Sequence, residues 1–231
     1  MRWLPWLVAL TTTAPVPEDG GADFARAREQ MVATQIVARG VKDPLTLAAL
    51  RRVPRHLFVS AASLGQAYDD HPVPIGHGQT ISQPYVVAFM TEALGLRGGE
   101  RVLEIGTGCG YQAAVLSQIA ARVYTIEIVA PLAVEAAARL ERLGYANVSV
   151  RAGDGYLGWP EAAPFDAIMV TAAAPYVPSP LRQQLRDGGR LIVPVGEEWQ
   201  DLVLVTRHGE RFDERRVLPV RFVPMTGKVR Q

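Results

Sequence analysis

The sequence has one cysteine, Cys109, among 231 residues. A single cysteine cannot form a disulfide within the chain, and the clustered cysteine and histidine spacings of a zinc site are absent as well. The chain also has no marked excess of charge of either sign, because 24 Lys plus Arg and 23 Asp plus Glu leave a formal net charge of +1. This balance argues against a strongly basic surface that would bind nucleic acid or an anionic membrane. We therefore expect no metal site, no nucleic-acid partner and no stable membrane association.

Long hydrophobic runs are scarce too, and the clearest one lies at the start of the chain. Residues 3–10 are apolar, but a bilayer span needs about 20 residues. The run resembles a short secretory signal. However, Pro5 interrupts the run, and Pro15 directly follows Ala14, the residue at which cleavage would occur. We expect residues 1–22 to be an N-terminal extension and the protein to be cytoplasmic; a periplasmic or secreted protein is the alternative. The folded domain is expected over residues 23–231.

The hydropathy pattern changes at Arg101 and predicts two parts of one domain. Residues 23–100 are expected to contain helices capped by Asp23 and Asp43, followed by a long loop at 60–83. From residue 101 onward, short Val- and Ile-rich strands alternate with helices, which is typical of a parallel sheet covered on both faces.

The fold class predicted is α/β: a doubly wound, mostly parallel, Rossmann-like sheet with an antiparallel C-terminal strand pair and N-terminal helical additions. Helices are expected at 23–38, 44–50, 84–96, 111–121, 131–143 and 181–186. Strands are expected at 101–105, 122–127, 147–151, 165–171 and 190–195, with the antiparallel pair at 201–206 and 217–223.

Three alternate glycines mark the turn between the first core strand and the next helix. Gly106, Gly108 and Gly110 follow Glu104, and without side chains they let a ligand lie against the backbone. A dinucleotide fingerprint has the spacing Gly-x-Gly-x-x-Gly, whereas here the third glycine comes one residue early. The pattern Glu-x-Gly-x-Gly-x-Gly resembles the S-adenosylmethionine (AdoMet) loop of class I methyltransferases.

Two acidic residues follow the next two strands. Glu127 ends the second core strand, where a carboxylate can accept hydrogen bonds from both ribose hydroxyls. Asp154, with Gly155, follows the third strand and can meet an adenine amino group. Taken singly, the glycine turn, the glutamate and the aspartate have simpler explanations in packing, surface exposure and turn formation. Together, at three successive strand ends, they favour a nucleoside-containing ligand.

The loop before the core resembles a known family closely. Residues 67–84, Ala-Tyr-Asp-Asp-His-Pro-Val-Pro-Ile-Gly-His-Gly-Gln-Thr-Ile-Ser-Gln-Pro, are similar to the characteristic loop of protein-L-isoaspartate O-methyltransferases. Residues 53–59, 106–112 and 221–225 resemble other blocks of that family, and the resemblance covers about residues 31–227. Departures are Ile128, where the family often has arginine, and Cys109, where serine is common.

The resemblance implies transfer of the AdoMet methyl group to the free α-carboxylate of an L-isoaspartyl residue in a damaged protein or peptide. The products are a methyl ester, which closes to a succinimide, and S-adenosylhomocysteine (AdoHcy). It further implies a catalytic Ser82 and a substrate cleft that includes Tyr68, Asp69, Thr80, Ile81, Gln83 and Val223. The AdoMet contacts implied are Glu104, Gly106, Thr107, Gly108, Gly110, Tyr111, Glu127, Ile128, Asp154 and Gly155. We expect a monomer that acts on damaged proteins.

Several residues permit other interpretations. Ser82 directly precedes a predicted helix, so from its position alone it is most simply an N-cap. His71 and His77 are expected to be loop or cleft residues, because no usable Ser/His/Asp pattern accompanies them. Cys109 is expected to be a small packing residue, since no histidine or lysine adjoins it in sequence.

Three other functions remain open at this point. A methyltransferase for a different small-molecule or macromolecular acceptor would share the AdoMet site without needing the Ser82 loop. An NAD-dependent oxidoreductase is disfavoured by the glycine spacing. A non-catalytic peptide-binding module would have no evident use for an AdoMet site.

Overall fold

The computed structural model of the chain describes residues 21–230. The predicted signal-like run and most of the predicted extension, residues 1–20, therefore lie outside the described residues. Over the described range, none of the helices combines the length and the apolar character that crossing a membrane requires.

The first helical segment ends where the sequence predicts but begins differently. Helix α1 (Ala22–Gln30) continues through a π-helical turn and a 3-10 turn to Gly40, whose φ of 93° ends the segment. The prediction that Asp23 caps α1 is wrong: Gly21 occupies the N-cap position, and Asp23 lies inside the first turn. There its carboxylate is 2.8 Å from the Arg26 guanidinium.

Helix α2 (Pro44–Arg52) begins as predicted. Asp43 is its N-cap and accepts a hydrogen bond of 2.7 Å from the Thr46 amide. Helix α3 (Pro84–Leu94) is two residues shorter than predicted, because Gly95 adopts a left-handed conformation and ends it.

The segment predicted as a loop at 60–83 contains regular structure, so that prediction is wrong in part. A 3-10 helix covers Ala61–Gln66, and strands β1 (Val73–Gly76) and β2 (Gln79–Ile81) pair antiparallel. His77 and Gly78 join them with positive φ values of 52° and 69°, as a two-residue hairpin turn requires. The prolines and glycines that indicated a loop are the residues of this short hairpin.

Seven strands form the main sheet, and they confirm the predicted doubly wound architecture. They are β3 (Arg101–Ile105), β4 (Arg122–Glu127), β5 (Val148–Ala152), β6 (Phe165–Val170), β7 (Leu185–Val195), β8 (Gln200–His208) and β9 (Arg211–Val220). Their order is β5-β4-β3-β6-β7-β8-β9, with the first five parallel and the last two antiparallel. The chain leaves β3 in one direction and returns on its other side at β6, so the topological switch point lies between these strands.

The remaining helices are α4 (Tyr111–Ser117), α5 (Ala130–Arg142) and α6 (Ser179–Gln183). The predicted helix at 111–121 is too long, since α4 stops at Ser117. The predicted helix at 181–186 is displaced, since α6 covers Ser179–Gln183 and β7 already begins at Leu185. The predicted strand at 217–223 is misplaced, because β9 runs from Arg211 to Val220. Charged, exposed side chains cover much of this edge strand and conceal its pattern.

Alternate residues of the central strands enter two separate cores. Val102, Ala167 and Ile192 pack with α3 and α4 on one face, whereas Leu103 and Ile168 belong to the core on the other face. Both faces of the parallel strands are therefore buried, and the strand ends are the free edge at which a ligand can bind.

Candidate active site

A first cleft, which we call cleft A, opens at the carboxyl ends of β3, β4 and β6. Its empty space, including the part that is open to solvent, is about 670 Å³. It is lined by Gln79, Thr80, Ile105, Gly106, Gly108, Ile126, Glu127, Ile128, Val129, Gly155, Thr171, Ala172, Val223, Pro224, Met225 and Thr226. The glycine turn, the end of β4 and the turn after β5 meet there, as their strand-end positions predict.

Glu127 is fixed at the wall of cleft A by two backbone amides. Its Oε2 accepts a hydrogen bond of 2.8 Å from the Gly108 amide, and its Oε1 accepts one of 2.9 Å from the Val129 amide. Only 5% of the residue is exposed. A carboxylate has about four lone-pair positions, so Glu127 retains acceptor capacity for a pair of ligand hydroxyls.

The backbone of the glycine turn comes close to its neighbours. At Gly106 the φ is 98°, and a Cβ atom would collide with the Thr171 hydroxyl, which donates a 2.7 Å hydrogen bond to the Gly106 carbonyl. At Gly155 a Cβ atom would overlap the Ile105 side chain. Both positions accept only glycine without rearrangement. The bare backbone and the carboxylate of cleft A suit a nucleoside with a ribose and an amino-acid end, which is the chemistry of AdoMet.

Glu104 lies beneath the glycine turn in a buried chain of hydrogen bonds. It is fully buried, accepts a 2.6 Å hydrogen bond from Thr125 Oγ1, and Thr125 Oγ1 lies 2.7 Å from Thr107 Oγ1. Burial raises the pKa of Glu104 to about 8; the Thr125 hydrogen bond opposes this rise, and the Glu127 carboxylate adds to it. Glu104 is therefore mostly protonated at neutral pH.

Cleft A brings together Gly106, Gly108, Glu127, Ile128 and Gly155 of the predicted AdoMet contacts. Five others are not among its lining residues: Glu104, Thr107, Gly110, Tyr111 and Asp154.

These five residues have other partners. Thr107 and Tyr111 line a small cavity of about 340 Å³ beside cleft A, which we call cavity C. Gly110 packs against Leu140. The Asp154 carboxylate accepts hydrogen bonds from the Tyr156 amide at 2.9 Å and the Lys228 amide at 2.8 Å.

Several lining residues of cleft A were not predicted. Thr171 and Ala172 directly follow β6, so the rule that ligands bind at strand ends would have identified them. Pro224, Met225 and Thr226 arrive from the carboxyl end of the chain, and no local pattern indicates that they return to this position.

A second, wider cleft adjoins the first, and we call it cleft B. It encloses about 1850 Å³. Its lining residues are Arg39, Pro72, Thr80, Ser82, Gln83, Tyr85, Val86, Thr171, Glu198, Trp199, Gln200, Asp201, Leu218, Pro219, Val220, Arg221, Phe222 and Val223. Thr80, Thr171 and Val223 line both clefts, so these residues form the border across which two bound molecules would meet.

Cleft B contains four of the predicted substrate contacts and catalytic residues: Thr80, Ser82, Gln83 and Val223. Ile81 instead lines cavity C.

The other two predicted substrate contacts, Tyr68 and Asp69, do not line either cleft. The Tyr68 hydroxyl lies 2.7 Å from His56 Nδ1, behind the loop. Asp69 lies on the surface, 3.6 Å from His71. His77 is likewise outside the clefts, 3.8 Å from Glu135.

Ser82 is not the helix cap that its position suggests. Gln83 occupies the N-cap position of α3 without a side-chain capping bond, and Pro84 begins the helix. The Ser82 side chain has no hydrogen-bond partner within residues 21–230, and the residue lines both cleft B and cavity C. The hydroxyl is therefore available to a ligand.

Arg55 fixes the backbone at Ser82. Its guanidinium is fully buried and donates hydrogen bonds to the carbonyls of Ser82 at 2.8 Å and Ala67 at 2.7 Å. Burial lowers the pKa of Arg55, and the neighbouring Tyr111 counteracts that shift. A cation held by carbonyls of two separate segments positions the Ser82 loop rigidly.

Comparison with known proteins gives a consistent result. The family model described as Protein-L-isoaspartate(D-aspartate) O-methyltransferase (PCMT) matches residues 26–230. The chain is 56% identical over 216 residues to a protein named Protein-L-isoaspartate O-methyltransferase 2 from Shewanella sediminis, covering 93% of this chain and 88% of that protein. It is 54% identical over 224 residues to Protein-L-isoaspartate O-methyltransferase from Methylorubrum extorquens, covering 96% of each.

Solved structures resemble the chain over most of its length. One described as a protein-L-isoaspartate O-methyltransferase matches with a TM-score of 0.81 and 34% identity, covering 87% of this chain and 67% of that one. A Plasmodium falciparum protein, described as a putative enzyme of the same name in complex with S-adenosyl-L-homocysteine, has a TM-score of 0.74 at 24% identity. It covers 86% of this chain and 98% of its own, and it supports the fold.

The buried Glu104 generates a prediction on pH-dependent stability. The ordinary pKa of this carboxyl is 4.5, and its pKa in the folded chain is about 8. At pH values between these two, Glu104 has lost its proton in the unfolded chain but keeps it in the folded chain. This group's stabilising contribution is therefore complete below pH 4.5 and is lost as the pH rises through 8. Relative to Glu104→Gln, the wild type should lose about 3–4 kcal/mol of unfolding free energy between pH 5 and pH 8.

Urea unfolding at several pH values measures this difference. Thr125→Val removes the hydrogen bond that opposes the pKa rise, so it should extend the loss of stability to higher pH. Parallel pH profiles for the wild type and Glu104→Gln would contradict the assignment.

Proposed function

This chain belongs to the protein-L-isoaspartate(D-aspartate) O-methyltransferase family, and we propose that cleft A holds its methyl donor and cleft B its peptide acceptor. The enzyme catalyses AdoMet-dependent methylation of L-isoaspartyl residues in damaged proteins and peptides. The new bond joins an oxygen of the free α-carboxylate to the methyl carbon, while the bond from that carbon to sulfur breaks. AdoHcy leaves, and the methyl ester closes to a succinimide, which starts the repair.

The border between the clefts is the observation that supports this arrangement most strongly. Thr80, Thr171 and Val223 line both clefts, and Ser82 lines cleft B near this border. A methyl transfer needs its two reactants in line and close together. Two adjoining clefts that share one wall would hold a donor and an acceptor in this way.

Within cleft A, the chain's own residues would hold the donor by its polar ends. Glu127 would accept hydrogen bonds from the ribose hydroxyls, since two amides already fix its carboxylate. The Gly106–Gly108 backbone would lie under the donor, where no side chain intervenes. When bound, AdoMet supplies an activated methyl group on a sulfonium.

Within cleft B, the required work is orientation of the acceptor. A free α-carboxylate has a pKa of about 3.5, so it is already an ionised nucleophile at neutral pH and needs no general base. We assign Ser82 as the hydrogen-bond donor that orients this carboxylate. Within residues 21–230 the serine hydroxyl has no hydrogen-bond partner, and Arg55 fixes the backbone of Ser82. Orientation and exclusion of water then account for catalysis.

No observation favours the alternative of a different acceptor. That alternative would use cleft A but leave the fixed Ser82 segment without a role. We also propose that the enzyme acts as a monomer.

The first prediction concerns the acceptor. Labelled AdoMet is offered to the enzyme with two peptides of the same sequence that differ only in L-isoaspartate or L-aspartate at one position. Only the isoaspartyl peptide should acquire label, and the label should be released by mild base, because the product is an ester. Base-stable label, or equal labelling of both peptides, would refute the assignment.

The second prediction concerns Ser82. Loss of one hydrogen bond to a charged group costs about 1.5–3 kcal/mol, so Ser82→Ala should lower turnover about 10- to 100-fold. The affinity for AdoHcy should stay within about twofold, since Ser82 does not line cleft A. Ser60→Ala, an exposed serine outside the clefts, is the matched control. Undiminished turnover at unchanged stability would remove Ser82 from the mechanism.

The third prediction concerns Glu127. Glu127→Gln keeps the size of the side chain but loses the charge, so calorimetry should give AdoHcy binding at least about tenfold weaker. Glu141→Gln changes an exposed glutamate on α5 and should bind AdoHcy as the wild type does. Unchanged affinity in Glu127→Gln would exclude the ribose contact.

A further inference from the structure

We propose that Trp199 is a specificity-determining residue, which binds an apolar side chain of the acceptor peptide next to the isoaspartyl residue. The proposal rests on the proposed function, since it takes cleft B as the acceptor site. Trp199 is 90% exposed, although tryptophan is highly buried on average in folded proteins. Trp199 lines cleft B, and tryptophan is among the residues most enriched in binding hot spots.

The backbone under Trp199 is held rigidly. The turn between β7 and β8 begins at Gly196, whose amide donates a 2.9 Å hydrogen bond to the Ala174 carbonyl. Its φ is 128°, and a Cβ atom there would collide with the Trp199 carbonyl. The turn is therefore specific for glycine at this position, and the backbone that carries Trp199 is fixed.

Gln200 ties this turn to the segment that follows β9, whose last residue, Val220, pairs with Gln200. Its Nε2 donates hydrogen bonds of 3.3 Å to the carbonyls of Glu197 and Phe222, and its Oε1 accepts one of 2.6 Å from the Phe222 amide. The Trp199 turn and the segment before Val223 are thus cross-linked. Binding a peptide along them costs little ordering of the backbone, which is the condition for a preformed site.

Trp199 is also the aromatic ring of cleft B with the most free surface. Tyr85 has the Arg39 guanidinium 3.9 Å above its ring, and Phe222 is half-buried against the core. Among residues 21–230, no other aromatic ring stacks on Trp199. Its two faces are available to a side chain of the peptide.

Charge gives cleft B little basis for selection. Its lining contains two arginines, Arg39 and Arg221, and two carboxylates, Glu198 and Asp201. These charges balance, so peptides of either sign meet no strong net field. The exposed indole is then the element of the cleft that discriminates, and it favours aromatic or aliphatic partners.

The test uses isoaspartyl hexapeptides in which either the residue directly before or the residue directly after the isoaspartate is tyrosine or serine. In the wild type, kcat/KM should favour tyrosine at one of these positions. Trp199→Ala should reduce that preference about fivefold, the size expected for one aromatic contact, whereas Trp199→Phe should retain most of it. Val134→Ser, which changes an exposed apolar residue on α5, should leave the preference intact.

A second measurement does not depend on turnover. With AdoHcy present, the tyrosine peptide should shift the fluorescence of the wild type to shorter wavelength, and the shift should be absent in Trp199→Phe. A preference that survives in Trp199→Ala would overturn the proposal. So would a wild-type dimer that Trp199→Ala dissociates at unchanged peptide preference, since Trp199 would then bind a second copy. If the wild type methylates none of the isoaspartyl peptides, the proposed function itself fails.

Discussion

The ends of β3 and β6 are joined through Thr171, and both clefts are built on that junction. The Thr171 amide donates a 2.8 Å hydrogen bond to the Ile105 carbonyl, and its hydroxyl donates one of 2.7 Å to the Gly106 carbonyl. These strands flank the switch point of the sheet, where helical connections leave in opposite directions and a crevice opens. Thr171 lines both clefts, so the residue that closes the glycine turn also lies at the border between the two clefts. In our proposal, the hydrogen bonds of the sheet therefore set the distance between the methyl donor and the acceptor.

Two buried ionisable side chains lie behind the clefts. One of them, Arg55, is charged, and the other, Glu104, is neutral. Arg55 has no carboxylate partner within residues 21–230, and burying such a cation costs several kcal/mol. Hydrogen bonds to the carbonyls of Ala67 and Ser82 offset part of that cost, and the same bonds fix the Ser82 segment. Glu104 escapes the cost by keeping its proton, since burial raises its pKa to about 8. The Ser82 segment thus gains a fixed positive charge behind it, while the glycine turn gains no further negative charge from Glu104 at neutral pH.

The sequence predicts the sheet and the strand-end residues well, because both depend on local patterns. Buried parallel strands are continuous Val- and Ile-rich runs, so β3 and β4 have their predicted bounds, and Glu127 follows from the end of β4. Asp154 depends on a distant contact instead: the Lys228 amide occupies one of its oxygens, and no local pattern indicates that the carboxyl-terminal segment returns there. The position of Tyr68 likewise depends on a tertiary contact, since its hydroxyl lies against His56, and its role as a substrate contact stays a prediction. The N-cap interpretation of Ser82 fails because Pro84 already fixes the first helical φ, which leaves Gln83 at the cap.

The carboxylate acceptor explains why histidine is absent from the lining of clefts A and B in the described part of the chain. An ionised nucleophile requires no proton transfer, and His71 and His77 lie on the surface beside Asp69 and Glu135. Rate enhancement must then come from geometry, and in our proposal the fixed Gly106 turn and Ser82 segment supply it. Damaged residues occur in many sequence contexts, however, so the remainder of the acceptor site must tolerate variation. A rigid polar border at Thr80 and Thr171, opening into a wide cleft with balanced charges, meets both requirements at once.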